Sequence, residues 1–464
     1  MLFVDPLFFY FFAVVWAGHW LLSSARSRII WLLVASYVFY GAWDYRFLSL
    51  IIATSVIDFY LGRRIAEAKN RKVSARPYLY VSIFLNLGSL AFFKYCNFFV
   101  ESAAAFLNVL GLGVHPHLLN LILPIGISFY TFQSMSYTFD IYMGKIRPEK
   151  SLIHFLLFIA FFPQLIAGPI VRAKDFLPQL HRGPRLDLNS AKHSLVLILV
   201  GFFKKAVVAD LLASLIEPYF IKPGAYNGVT SVLANWAFCV QLYCDFSGYS
   251  DIAVGCAGLF GYQIVQNFHF PFLANNIRDV WRRWHTTLNT FLRDYVFFPL
   301  GGTSGGLYYR NVAIVMLISA VWHGPQPGFF VWAALTAVLM CTEYYFKTGS
   351  THQEGSFSVI KAFAVFNIVV ITIIPFRALT LDSSTTILRG FFFLGQGDQQ
   401  LANSRLALVL LASAIVHLAN YRLRIVERIG NSKDVPFAFS YGAAWMVAFF
   451  FCTWSENPFI YFQF

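Results

Sequence analysis

Apolar runs of roughly 15 to 25 residues recur from end to end of this chain, each long enough to cross a hydrocarbon core ~30 Å thick. Charged residues make up only 12% of its 464 residues, against 58% hydrophobic. Soluble domains carry about 25% charge, so the polar surface needed to coat a globule in water is missing. The chain is read as an integral, multi-pass membrane protein. Lipid offers bare backbone no hydrogen-bond partner, which leaves helices or a closed barrel as spans. The runs are continuous, without the strict alternation of barrel strands, and this decides for helices.

Loop charge gives a partial topology. The connection from Gly62 to Pro77 holds Arg63, Arg64, Lys69, Arg71, Lys72 and Arg76 against Glu67, so it is expected on the cytoplasmic side. Glu101 to Asn120 carries neither Lys nor Arg and is expected outside; "KIRPEK" (145–150) brings the chain back. The formal net charge of +13 is then a property of cytoplasmic loops rather than a nucleic-acid footprint. "MLFVDPLFFYFFAVVWAGHWLL" has no basic lead and no small-residue cleavage site. It reads as a first span, with no cleaved signal peptide. The cysteines have no paired spacing and support neither a disulfide framework nor a metal site.

Two segments depart from plain spans. "HFLLFIAFFPQLIAGPIVR" is interrupted by Pro163, Gly168 and Pro169 and flanked on both sides by basic residues, the pattern of a re-entrant loop. Such backbone is tolerated only against protein or a wet cavity. "LILVGFFKKAVVADLLASLI" sets Lys204, Lys205 and Asp210 in an apolar helix, with a charged face expected toward protein or headgroups. Further apolar runs lie near 310–322, 328–346, 358–378, 405–420 and 437–454. The expectation is an all-α bundle of roughly a dozen spanning and partly spanning helices in one integral membrane domain, 1–464. Within it, 1–120 would be peripheral spans, 121–346 the core and 347–464 C-terminal spans, with "KTGSTHQEGS" a polar loop. No internal repeat or inverted pair of broken helices is visible, which argues against a secondary transporter.

Chemistry concentrates in "DVWRRWHTTLNTFLRDYVFFPLGG" (279–302). On one continuous helix, Trp281, Trp284, His285, Leu288, Leu292 and Tyr295 would share a face, with Arg282, Arg283 and Arg293 around the other. Taken alone, the stretch is an interfacial helix with snorkelling arginines and a satisfied histidine. His323 changes the balance. In "ISAVWHGPQPGFFVWA" it closes an apolar helix beside Trp322. Ionisable groups at membrane depth are costly and are functional candidates by default, and a desolvated, neutral imidazole is the form a general base requires. "QLYCDFSGYSDIAVGCAGLFGY" adds Asp245, Ser247, Tyr249 and Asp251 to an apolar helix, whose glycines 248, 255, 258 and 261 would admit a close neighbour. The acids need partners, and Arg282 or Arg283 are natural ones. None of the eleven histidines begins an HxxxxD box, and Walker A and HExxH motifs are absent; "GTSGG" (302–306) fits GxSxG in letters but reads as a flexible turn, not a nucleophile elbow. No metal ligand set is visible.

These stretches, together with "LPIGISFYTFQ", "AGPIVR" and the terminal "PFIYFQF", resemble the bacterial membrane-bound O-acyltransferase family from about Leu123 to Phe464. The similar branch is polysaccharide O-acetylation (alginate, cellulose), with teichoic-acid D-alanylation proteins more distant. The resemblance implies a helical bundle around a funnel or tunnel, with His323 of "WHG" and His285 of "WRRWH" as the catalytic histidines. It also implies an acyl thioester such as acetyl-CoA as co-substrate, with no bound cofactor. An inner-membrane location and an extracytoplasmic SGNH-type transferase as partner follow from it too. After "WHG" the family continues with small residues and an aromatic, whereas this chain has "PQPGFF". On this reading His323 is the base, His285 holds the acyl group or donor, and Arg282, Arg283 and Arg293 attract the donor's phosphates. Trp284, Trp322, Asp245, Ser247, Tyr249 and Asp294 are tunnel or structural polar residues. Two other classes stay open: a transporter or flippase, which would move substrate without acyl transfer, and a non-catalytic scaffold, which would tolerate loss of both histidines.

Overall fold

A computed structural model describes residues 3–119, 121–347, 357–378, 380–452 and 460. "KTGSTHQEGS" beyond Lys347, and "PFIYFQF" apart from Ile460, lie outside the described residues. The structure is helical, with no strand among the described residues beyond one isolated bridge, Tyr226 to Gln399. It packs as two compact units, Met1–Arg185 with Phe260–Ile264, and Leu186–Leu259 with Val265–Phe464.

The first unit contains α1 (Pro6–Leu21), α2 (Ala25–Asp44), α3 (Leu48–Asn70), α4 (Arg76–Val109), α5 (Ile127–Tyr142), α6 (Leu152–Ala160), α7 (Phe162–Leu165) and α8 (Ala173–Arg182). The segment expected to be re-entrant is broken where its prolines and glycine fall, between α6, α7 and α8. Its freed backbone is satisfied by side chains. The Phe158 carbonyl accepts from Gln133 Nε2 (2.5 Å) and Gln164 Nε2 (2.6 Å), and Phe162 N–H donates to Ser36 Oγ (3.1 Å). This is how irregular backbone survives where water is excluded. The α3, α4 and α5 helices are tied by buried Asp58, which accepts from Ser82 Oγ, Asn86 Nδ2 and Ser134 Oγ at 2.5–2.6 Å.

The second unit contains α9 (Leu188–Phe202), α10 (Asp210–Ile221), α11 (Gly228–Leu259), α12 (Ile277–Arg283), α13 (Thr286–Leu292), α14 (Tyr308–His323), α15 (Pro327–Lys347), α16 (Val359–Ala378), α17 (Leu381–Phe391), α18 (Asn403–Leu423), α19 (Ile425–Gly430) and α20 (Asp434–Phe451). The late apolar runs become α14, α15, α16, α18 and α20. Buried α11 is the spine of this unit. A Cβ at Gly248 or Gly255 would strike the backbone of α9 at Gly201 or Ser194, so the glycines do allow contact with a neighbouring helix. Gly261 serves differently: it has φ +81° and abuts Pro184 and Arg185 in a turn of the first unit.

Among the described residues, six helical stretches are long and apolar enough to cross a bilayer: Ala25–Asn70, Arg76–Val109, Pro327–Phe346, Val359–Ala378, Asn403–Leu423 and Asp434–Phe451. Their outer faces expose large apolar side chains in rows, such as Leu408, Leu411, Ile415 and Val416 on α18. Water does not tolerate such faces over this area. The chain is an all-α, multi-pass membrane protein.

Candidate active site

The stretch expected to be one helix is two. Asn276 caps α12 by accepting from Asp279 N–H (2.9 Å), and α12 ends at Arg283. Trp284 is extended, and His285 takes a left-handed conformation at φ 43°, sparsely populated outside glycine. The preceding linker holds the break open: His269 N–H donates to Arg283 O and Thr286 N–H to Asn267 O. Asn289, one turn into α13, donates from Nδ2 to the carbonyls of Trp281 and Trp284 (2.6 and 2.5 Å). The 3.6-residue pattern spans the break but does not describe it.

The break turns the His285 ring inward, where it is buried (2% exposed). It meets Phe246 edge-on at 4.7 Å and lies near Phe268 and Trp322. Its Nδ1 is 3.1 Å from Asn267 Oδ1. That same oxygen accepts from Thr287 N–H (3.2 Å) and Thr287 Oγ (3.0 Å). A backbone N–H can only donate, so the atom facing it is the amide oxygen, and an amide oxygen can only accept. The network therefore assigns the proton to Nδ1 of His285 and leaves the lone pair on Nε2. His285 lies outside the candidate spans, and burial pushes its pKa down to about 3; the ring is neutral at any physiological pH.

His323 closes α14. Gly324 follows at φ +156°, a backbone conformation that residues with side chains rarely adopt, and a Cβ there would displace Gln326 Oε1 and press on the Phe329 ring. The "PQP" connector then leads into α15. The His323 ring is enclosed by Trp322 (4.7 Å), Phe376 (4.9 Å), Trp332 (5.3 Å) and Phe329 (5.7 Å).

His285 and His323 line one cavity. Its walls are mostly apolar and aromatic, including Trp281, Trp284 and Trp332, with Asn289, Ser319, Thr336 and Thr372 as the polar groups. Thr336 is 2% exposed, and its hydroxyl has no hydrogen-bond partner among the described residues. An apolar pocket with a few convergent polar groups is the usual form of a small-molecule site. Trp322 is in contact with both imidazoles.

The other expected residues are placed elsewhere. Arg282, Arg283 and Arg293 do not line the cavity. Arg282 is exposed, Arg283 pairs with Asp279 (2.8 Å), and Arg293 pairs with its neighbour Asp294 (2.9 Å). Nor do arginines neutralise the acids of α11. Lys205 bridges Asp210 (2.7 Å) and Asp245 (2.8 Å), and Lys204 holds Asp251 (2.6 Å). Asp245 also accepts from Ile460 N–H (2.7 Å), and the Lys205 ammonium lies over the Tyr249 ring (5.7 Å). Ser247 is fully buried on the same helix. These groups form an internal charge cluster, with no member in the cavity wall.

Sequence reasoning missed Asn267, Asn289 and Thr336, whose roles depend on contacts remote in sequence. It also missed His417 on α18, whose ring meets Phe270 (5.1 Å) and Tyr243 (5.3 Å). A lone ionisable residue in "SAIVHLAN" is the signal that could have found it.

Residues 145–381 match the model of MBOAT, the membrane-bound O-acyltransferase family. A probable alginate O-acetylase of Azotobacter vinelandii is 35% identical over 432 residues, 91% of this chain and 85% of that protein. A peptidoglycan O-acetyltransferase of Helicobacter pylori is 33% identical over 424 residues, 84% of this chain and 79% of its own. A teichoic acid D-alanyltransferase of Bacillus subtilis is 30% identical over 250 residues, half of this chain and 61% of its own.

Proposed function

The chain belongs to the membrane-bound O-acyltransferase family and is an acyltransferase, and from that premise we propose that it moves acetyl groups from cytoplasmic acetyl-CoA across the bacterial inner membrane. The acetyl groups go to O-acetylation of an exopolysaccharide or cell-wall polymer, through an extracytoplasmic SGNH-type transferase. The relatives' names support the acetyl group and the polymer class. The basic cytoplasmic loops support a donor arriving from within.

The observation that carries the site assignment is the shared cavity of His285 and His323. Acyl transfer from a thioester to a hydroxyl forms a C–O bond and breaks a C–S bond. The hydroxyl proton must leave as its oxygen attacks, and the thiolate must be protonated as it departs. His323 takes the proton and returns it to the sulfur. His285, its Nδ1–H engaged by Asn267, presents Nε2 as an acceptor for an amide N–H of the donor or a neighbouring hydroxyl of the acceptor, which holds the reactants in line. The buried Thr336 hydroxyl supplies a hydrogen bond to the carbonyl oxygen as it becomes an oxyanion. Arg282, Arg283 and Arg293 lie outside this chamber, which suits a role in attracting the anionic donor better than one in the chemical step.

The test uses purified protein with acetyl-CoA and a hydroxyl acceptor. His323→Ala is expected to lower the transfer rate by about 10²- to 10⁴-fold, the range for loss of a positioned acid–base group. Transfer at the wild-type rate would remove His323 from the mechanism. Arg282→Glu, Arg283→Glu and Arg293→Glu are expected to raise the KM for donor more than they lower kcat.

A further inference from the structure

We propose a zinc site formed by Glu149, His154 and His181 in the first unit. Each offers one ligand atom, and these atoms lie within 4.8 Å of one another. None of the three belongs to the histidine cavity, and the inference does not rest on the acyl-transfer reading.

The chain builds the cluster from both flanks of its broken helix. Glu149 is the last residue but one of "KIRPEK", His154 is in the first turn of α6, and His181 is in the last turn of α8. Glu149 is buried (7% exposed), and its carboxylate is held in place. Oε1 accepts from Lys150 N–H and Ser151 N–H, both at 2.8 Å. Oε2 faces His181 Nε2 at 2.8 Å. Such fixing of a ligand by outer hydrogen bonds is usual around metals.

A Glu–His ion pair accounts for that contact alone. It does not account for a second imidazole packed against the first, with ring centroids 4.6 Å apart. Nor does it explain His154 Nδ1, which is buried with no hydrogen-bond partner among the described residues. Two imidazoles facing one carboxylate cannot both be protonated without repulsion, whereas one divalent cation satisfies all three ligands. Zinc binds His nitrogen and carboxylate oxygen at roughly 2.0–2.2 Å, which places tetrahedral ligand atoms roughly 3.4 Å apart. Small side-chain adjustments from the present separations reach that geometry. His181 is half exposed, so water can occupy the fourth position. Two imidazoles and one carboxylate suit zinc over magnesium or calcium, which prefer oxygen alone. The ion would replace the proton between Glu149 and His181 and clamp the start of α6 to the end of α8, closing the chain around the irregular segment between them.

The experiment uses the full chain, purified in detergent with a histidine-free affinity tag, equilibrated with zinc and passed through gel filtration. Wild type is expected to retain about one zinc per chain, and His154→Ala/His181→Ala less than a tenth of that. A second measurement needs no variant. Chelator-treated wild type should melt several degrees lower and recover with zinc but not with magnesium, since a ligand that binds only the folded state raises its stability. Wild type retaining no more zinc than the double variant, or melting unchanged by chelator and zinc, would overturn the site and leave a plain Glu–His ion pair.

Discussion

At the scale of single residues, the assignment turns on which nitrogen of His285 carries its proton. Asn267 settles it, because one oxygen faces a backbone N–H, a hydroxyl and the ring together. Asn267→Ala should therefore lower kcat roughly tenfold to a hundredfold, part of the 10²–10⁴ that a positioned acid–base group contributes, with KM nearly unchanged. Asn267→Asp keeps the acceptor and should recover part of the rate. A purely structural role would instead lower stability in both variants and leave kcat per folded molecule untouched. The sequence made both histidines legible, since an imidazole in an apolar run stands out on cost alone. Asn267, in "QNFHF", carried no such signal: its function is a tertiary contact 18 residues away.

At the scale of elements, the apolar runs foretold α14, α15, α16, α18 and α20 because hydrophobic length is a local property. The interruption of α6 through α8 was equally legible, since Pro163, Gly168 and Pro169 act through their own backbone. The break at His285 was not. No proline or glycine marks it, and the pattern of Trp281, Trp284, Leu288 and Leu292 runs through it. Linker residues 267–269 impose the break from outside. Ion-pair partners were illegible for the same reason, and α11 found lysines of the segment between α9 and α10 rather than arginines. Lys205 is shared by two buried carboxylates, so its loss leaves both unneutralised. Lys205→Met should destabilise the folded protein by about 3–5 kcal/mol, the cost of breaking a buried pair. Asp245→Asn leaves the Lys205–Asp210 pair intact and should cost only about 1–3 kcal/mol, that of an impaired buried hydrogen bond. Thermal unfolding in detergent reads the order of the two, and the reverse order would mean that Lys205 is not the group on which the cluster depends.

At the scale of the whole molecule, composition alone decided that the chain lives in lipid, and the exposed apolar faces of its long helices agree. What composition could not decide is which buried polar groups share a chamber. His285 comes from the break between α12 and α13 and His323 from the end of α14, and the fold brings them to one cavity. Residues that act in one step are strongly non-additive when removed. The most direct measurement is therefore the acyl-transfer kcat/KM of wild type, His285→Ala, His323→Ala and the double variant. The account predicts a large loss for each single variant, with the double falling less than about tenfold below the worse single. Losses that multiply in full, or either single variant at the wild-type rate, would contradict a common site for the two histidines.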